Sequence, residues 1–179
     1  GRRQLFRLKD LQEHSKLDCY WFRYTLPTSL GNGIEGMAGV KGRVALVTGA
    51  GRGIGRATAE LLAARGARVM GVARSRAELE ALGLEYFIAD LGTAEGCAQA
   101  VAETEARLGP VEILVCNHGI GSAHEKLIWE QSPDTWSETM RINLDGPFEL
   151  SRRVLRGMTE RGYGRVVFTS STAGLVAEH

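Results

Sequence analysis

Thr48-Gly49-Ala50-Gly51-Arg52-Gly53-Ile54-Gly55 follows directly on the apolar run Val44-Ala45-Leu46-Val47. A buried strand that breaks into closely spaced glycines and then into an amphipathic helix makes a cradle for phosphate. The first glycine permits the tight turn, a later one lets the backbone approach a pyrophosphate, and the last lets the helix pack on the strand. The helix N-terminus then offers unpaired N–H groups and a partial positive charge to the anion. The flank agrees: Arg56-Ala57-Thr58-Ala59-Glu60-Leu61-Leu62-Ala63-Ala64-Arg65 is a good helix sequence, and Gly66 stops it. These residues predict a dinucleotide site, with a purely structural strand–helix turn as the bland alternative.

Working outward, the chain alternates strand and helix from residue 43. The first strand covers 43–47 and its helix 54–65; a second strand covers 67–73 with a short helix at 76–82. A third strand runs over 84–89, then a helix over 94–108 with Thr93 as its N-cap, ended by Gly109-Pro110. The fourth strand is expected at 111–116. A long helix over 134–158 takes Pro133 near its start and should bend or break around Gly146-Pro147. After the turn at 162–164 comes a fifth strand, 165–169. Apolar strands separated by helices imply an α/β fold, a parallel sheet covered on both faces. Right-handed crossovers give a doubly wound sheet, a Rossmann fold with strands ordered 3-2-1-4-5.

The bulk numbers bound the function. With 179 residues, 44% hydrophobic and 24% charged, the chain can bury one sizeable core. A formal net charge of +1 leaves no footprint for nucleic acid or an anionic membrane, and no apolar stretch nears the ~20 residues of a membrane helix. Cys19, Cys97 and Cys116 lack a CxxC spacing, so neither a disulfide frame nor a metal site is expected, and cytoplasm is the expected location. Residues 1–36 look unlike the rest. Leu5, Leu8 and Leu11 hint at a short basic amphipathic helix, residues 20–24 form an aromatic cluster with no helix or strand period, and 31–36 read as a flexible linker. The expectation is a tag-like leader outside the fold, with a genuine extension as the alternative, and a nucleotide-binding domain over 37–179.

Beyond the glycine loop, further motifs stand at or beside strand ends: Asp90-Leu91, Cys116-Asn117-His118-Gly119, Trp136, Asn143-Leu144-Asp145-Gly146 and Thr169-Ser170-Ser171. Taken together, residues 37–179 resemble the short-chain dehydrogenase/reductase family, NAD(P)-dependent oxidoreductases on a Rossmann domain. The resemblance implies roles residue by residue. Gly49, Gly53, Ile54 and Gly55 would hold the pyrophosphate. Asp90 and Leu91 would contact the adenine, and Asn117 and Gly119 the ribose. Asn143 would hold a helix carbonyl that positions a proton-relay water, and Ser171 would hydrogen-bond the substrate oxygen. Bland readings stand beside these: Asp90 as a helix cap, Ser171 as a strand-end hydroxyl, Asn143 as a structural amide. A homo-oligomeric parent protein is also implied.

The chain departs from the family pattern at two points, Cys116 for a second Asn and His118 for a small Ala. Cys116 reads as a buried thiol and His118 as a tolerated loop residue, with contact to the cofactor ribose or ring as the alternative for His118. At the end of the second strand, where NAD-preferring enzymes carry an acid, the chain has Ala73 followed by Arg74-Ser75-Arg76. The resemblance implies that Arg52 points to the same region, so Arg74 is expected to favour NADP over NAD by clamping a 2′-phosphate, with solvated helix-start residues at 74 and 76 as the bland alternative. The family's proton donor is a Tyr with Lys four residues on, and no Tyr in the 179 residues has that partner. The sequence therefore reads as the cofactor part of a longer reductase, its sheet cut after the fifth strand and that strand left as an exposed edge. Two function classes follow: an NADP(H)-dependent oxidoreductase acting on a small-molecule carbonyl or alcohol, or a catalytically inactive dinucleotide-binding fragment or pseudoenzyme.

Overall fold

The computed structural model describes residues 21–24, 39–121 and 127–171. Its elements are β1 (Trp21–Tyr24), β2 (Val44–Thr48), α1 (Gly53–Ala64), β3 (Arg68–Ala73), α2 (Arg76–Glu80), β4 (Glu85–Ile88) and α3 (Ala94–Leu108). They continue with β5 (Ile113–Cys116), α4 (Pro133–Met140), a π-helical turn (Arg141–Asp145), α5 (Gly146–Glu160) and β6 (Arg165–Thr169). The sheet order is β1-β6-β5-β2-β3-β4, with every pair parallel except β1 on β6. Without β1 this is the expected doubly wound order.

Period-two patterning on the central strand builds two cores. Val44 and Leu46 of β2 join Met70, Val72, Leu114 and side chains of α3 and α5, including Ala100, Leu150, Val154 and Met158. Ala45 and Val47 face the other way, onto Ala59 of α1, Leu79 of α2, Val69 and Val115. Each fully buried Leu or Val removes enough apolar surface from water to contribute about 1.5–3 kcal/mol. The small Ala45, Ala50 and Ala59 let α1 lie close to the sheet, which holds its N-terminus over the end of β2.

Helix limits follow the local chemistry. Thr93 caps α3, its Oγ accepting from the Gly96 N–H at 3.0 Å, as expected. Ser132 caps α4 by accepting from the Thr135 N–H at 3.1 Å, with Pro133 in the first turn. The long helix is interrupted by the π-turn, which begins before the Gly146-Pro147 pair. Pro147 has no N–H to donate, so the turn ahead of it relaxes to a wider hydrogen-bonding pattern.

Two expectations are corrected. Trp21–Tyr24 do form a strand, antiparallel to β6 in the register Trp21↔Thr169 to Tyr24↔Val166, although their side chains show no strand period. An edge partner is held by backbone hydrogen bonds, so alternation is not required of it. For the same reason β6 is not an exposed edge: β5 pairs it on one side and β1 on the other. The expected helix at 5–11 and the linker at 31–36 lie outside the described residues.

Candidate functional site

The carboxyl ends of the parallel strands converge on one rim of the sheet, where open α/β folds take their ligands. The glycine loop opens this rim. Gly49 has φ +64°, a backbone conformation that L side chains rarely adopt, and its α-carbon faces the backbone of His118. Gly55 packs its bare α-carbon against the Gly49 carbonyl and within reach of Asn117 Nδ2, leaving no room for a side chain. Arg52, extended at the N-cap, makes no side-chain cap, and the first turn of α1 contains no acidic residue. The first N–H groups of α1, at Gly53, Ile54 and Gly55, are therefore left for an anion.

Arg52 and Arg74 are both exposed, and neither side chain makes a hydrogen bond or ion pair with another described residue. Arg56 is committed elsewhere, to Glu60 at 2.8 Å and to the Ala81 carbonyl at 3.1 Å. Asp90 does not cap α3, because Thr93 does. One carboxylate oxygen of Asp90 accepts from the Gly92 N–H at 3.0 Å and the other stands 3.7 Å from Arg141. Leu91 is buried, so at the rim it can offer only its backbone.

Thr48, at the end of β2, is the hub of the site. Its hydroxyl oxygen accepts from the N–H groups of Asn117 at 2.9 Å and His118 at 3.2 Å, and it lies 3.0 Å from the Val115 carbonyl. The ring Nδ1 of His118 is 2.8 Å away from the same oxygen. Asn117 Oδ1 in turn accepts from the Thr169 hydroxyl at 3.2 Å, joining the ends of β5 and β6. Asn143 sits in the π-turn, with its side chain on the backbone of Ile120, and Gly119 lies against its Oδ1. Ser171 follows β6 by two residues and is exposed on this rim. All ten expected cofactor-binding positions thus occupy the loops and helix start at the strand ends, together with Asn143 and Ser171.

The expectation that His118 is a tolerated loop residue does not survive the geometry. Its ring is part-buried and bonded to Thr48, and burial pushes its pKa down to about 4, against smaller raising effects of the Ile142 backbone and Asp90. It is neutral throughout the physiological range. Cys116 is the buried thiol that was expected, pushed up to about 12 chiefly by desolvation, and Cys97 is raised to about 11 by the same cause. Neither has the thiolate character of a nucleophile. Among the described residues no His, Cys, Asp and Glu cluster could hold a metal ion, and no helix is long and apolar enough to cross a membrane.

Thr48 is a contributor to which sequence reasoning gave no role, and Pro147 was read only as a break in the helix. The signal for Thr48 was a hydroxyl at the last residue of a buried strand, where only a satisfied polar group belongs. For Pro147 it was the spacing, four residues after Asn143.

Comparison with known proteins gives the chain clear relatives. A family model described as short chain dehydrogenase matches residues 43–179. The 3-oxoacyl-(acyl-carrier-protein) reductase FabG of Vibrio cholerae is 41% identical over 145 residues, covering 75% of this chain and 57% of the relative. Its namesake in Escherichia coli is 37% identical over 143 residues, with the same two coverages of 75% and 57%. An acetoacetyl-CoA reductase of Rhizobium meliloti is 37% identical over 137 residues, covering 74% of this chain and 56% of the relative. The chain thus spans a little over half the length of these relatives.

Proposed function

The chain belongs to the short chain dehydrogenase family, and from that premise we propose that it supplies the NADP(H) site of an oxidoreductase acting on a carbonyl/alcohol pair. The observation that carries this reading is the uncapped N-terminus of α1 facing a loop in which Gly49 and Gly55 leave no space for a side chain. Such a cradle fits a pyrophosphate, whose charge the helix end complements. Gly49, Gly53, Ile54 and Gly55 would hold the pyrophosphate through backbone N–H groups. Arg74 and Arg52 would meet the 2′-phosphate, since Ala73 places no carboxylate there. Asp90 and the Leu91 backbone would take the adenine, and Asn117 and Gly119 the ribose. When bound, the dinucleotide supplies the hydride chemistry.

The chain's own part is to bind, orient and handle the proton's surroundings. Asn143 would present the carbonyl that holds a relay water: its side chain is anchored to Ile120, and the residue four positions on is a proline that cannot cap that carbonyl. Ser171 would donate to the substrate oxygen. The three named relatives are a pair of 3-oxoacyl-(acyl-carrier-protein) reductases and an acetoacetyl-CoA reductase, so a 3-oxoacyl thioester is the first carbonyl substrate to test. The buried free thiols Cys97 and Cys116 suit a reducing cytoplasm. The exposed Leu144, Phe148 and Leu155 suit a homo-oligomeric parent.

The second reading, a dinucleotide-binding module without turnover, shares the same cradle and differs only in whether a bound substrate is reduced. Calorimetric titration with NADPH and NADH tests the shared premise, and NADPH oxidation in the presence of a 3-oxoacyl thioester separates the two readings. NADPH binding at least tenfold tighter than NADH is expected. Absence of binding by either nucleotide overturns the site, and equal binding overturns the assignment of NADP(H).

A further inference from the structure

His118 stands between the end of β2 and the π-turn, and each of its ring nitrogens faces a different one of them. At Nδ1 the donor count is decisive. Thr48 Oγ1 already accepts two backbone N–H groups, from Asn117 and His118, which fill its two lone pairs. A protonated Nδ1 at 2.8 Å would be a third donor to the same oxygen. Nδ1 is therefore the acceptor, sharing the Thr48 hydrogen with the Val115 carbonyl, and the ring proton sits on Nε2.

Nε2 is wholly removed from solvent and has no hydrogen-bond partner among the described residues. It lies where a Cβ on Gly146 would approach to 2.7 Å, so only glycine at 146 admits the ring. The facing backbone has a matching deficit. In the π-turn the Gly146 N–H goes to the Arg141 carbonyl, five residues back. The next residue, Pro147, has no N–H. The Ile142 carbonyl is thereby deprived of both its α-helical donor and its π-helical donor. The Ile142 backbone also stands close enough to the His118 ring to bear on its protonation.

We propose that His118 is a positioning residue: its Nε2–H serves the Ile142 carbonyl that Pro147 and the π-turn leave without a helical donor, while its Nδ1 holds Thr48, so that the ring fixes the Asn143-bearing turn to the glycine-loop strand. The ring works beside the Asn143–Ile120 pair, making a two-point clasp between the loop after β5 and the π-turn. Three sequence features must then go together: His at 118, Gly at 146 and Pro at 147. The inference rests on the proposed role of Asn143, whose carbonyl is useful only if the turn is held still.

The test uses the 179-residue chain without added dinucleotide. Ring ¹⁵N spectra at pH 7, assigned by loss of the signals in His118→Gln, should show a single Nε2–H tautomer with an unprotonated Nδ1; an Nδ1–H tautomer or a fast mixture of the two overturns the proposal. In His118→Ala the Ile120 amide, which donates to Asn143 Oδ1, should exchange at least tenfold faster, with β2 and β3 amides unchanged. His118→Gln, whose amide can reach as a donor, should restore most of that protection. Equal exchange in wild type and His118→Ala, or no recovery in His118→Gln, also overturns it. Failure of these measurements counts against the His118 link alone, whereas failure to bind NADP(H) counts against the proposed function.

Discussion

Asn143 and Ile120 are joined like two residues of a sheet: Oδ1 of Asn143 accepts from the Ile120 N–H at 2.8 Å, and its Nδ2 donates to the Ile120 carbonyl at 2.8 Å. A side-chain amide is the one group short enough and doubly functional enough to satisfy both sides of a peptide unit. Asn143→Ala should cost about 1–2 kcal/mol in urea unfolding, from two hydrogen bonds at a net ~0.5–1.5 kcal/mol each. Asn143→Asp should be no better, because a carboxylate keeps the acceptor but sets an oxygen against the Ile120 carbonyl. Recovery of wild-type stability by Asp would show that only the Oδ1 bond matters.

Glycines 53 and 55 should behave differently although both open α1. A Cβ at 55 collides with the Gly49 carbonyl, whereas a Cβ at 53 meets nothing within 4 Å and is opposed only by its φ of +55°. Gly55→Ala should lose about 1–3 kcal/mol from forced displacement of the loop, and Gly53→Ala about 1–2 kcal/mol from left-handed backbone strain. Dinucleotide affinity should fall steeply in the first variant and less in the second. Titration of both with NADPH checks the order, and a reversed order would show that the Gly49–Gly55 contact does not shape the cradle.

What the sequence disclosed and what it hid follow from the range of the forces involved. The glycine loop, the helix over 94–108 with its Thr93 cap, and the strand order were legible because each rests on local periodicity, local capping or a chirality rule. The site positions at strand ends followed from the same topology. The Thr48–His118 contact was not legible, since it joins residues 70 apart and depends on how two strand ends sit side by side. The pairing of β1 with β6 was hidden for a similar reason: backbone hydrogen bonds carry no side-chain signature. The π-turn was half visible, in Pro147, but its extent depends on the partners that Asn143 and His118 provide.

Arg74 should carry the cofactor preference. Exposed beyond β3 with no partner among the described residues, it can turn to a 2′-phosphate at little internal cost. Arg74→Ala should weaken NADPH by about 1.5–3 kcal/mol, the worth of a hydrogen bond to a charged group, and leave NADH unchanged. Parallel calorimetric titrations decide it. Equal losses for both nucleotides would mean that Arg74 supports the loop rather than the phosphate.

Acid should destabilise the chain through His118. Its folded pKa of about 4 lies below the usual 6.5 because burial penalises the charged ring, and the facing Asp90 carboxylate only partly offsets this. Between those two values the unfolded chain takes up a proton that the folded chain refuses. Stability is therefore fully present above pH 6.5 and declines as pH falls toward 4, by up to about 3 kcal/mol. Urea midpoints at pH 7 and pH 5 should diverge in wild type and differ less in His118→Ala. An identical pH dependence in the two proteins would place the effect on other groups.

The strand at Trp21–Tyr24 gives residues 1–36 a consequence that can be measured. β6 is the last parallel strand on its side, and β1 covers its outer row of N–H and C=O groups through four paired positions. Phe168 is already 39% exposed on this strand, so removing β1 would leave an unpaired edge beside an apolar side chain. Such an edge is a template for another chain, and β6 has no bulge or proline within Arg165–Thr169 to deflect one. A chain comprising 37–179 should therefore self-associate at concentrations where the 179-residue chain does not, with light scattering rising and Arg165–Thr169 amides exchanging faster at low concentration. Substituting the exposed Phe168 by Lys in the shortened chain should restore solubility, since a charge at a free edge discourages pairing. If the shortened chain stays monodisperse with its β6 amides as protected as before, β1 contributes nothing to the edge in solution, and residues 1–36 stand outside the fold after all.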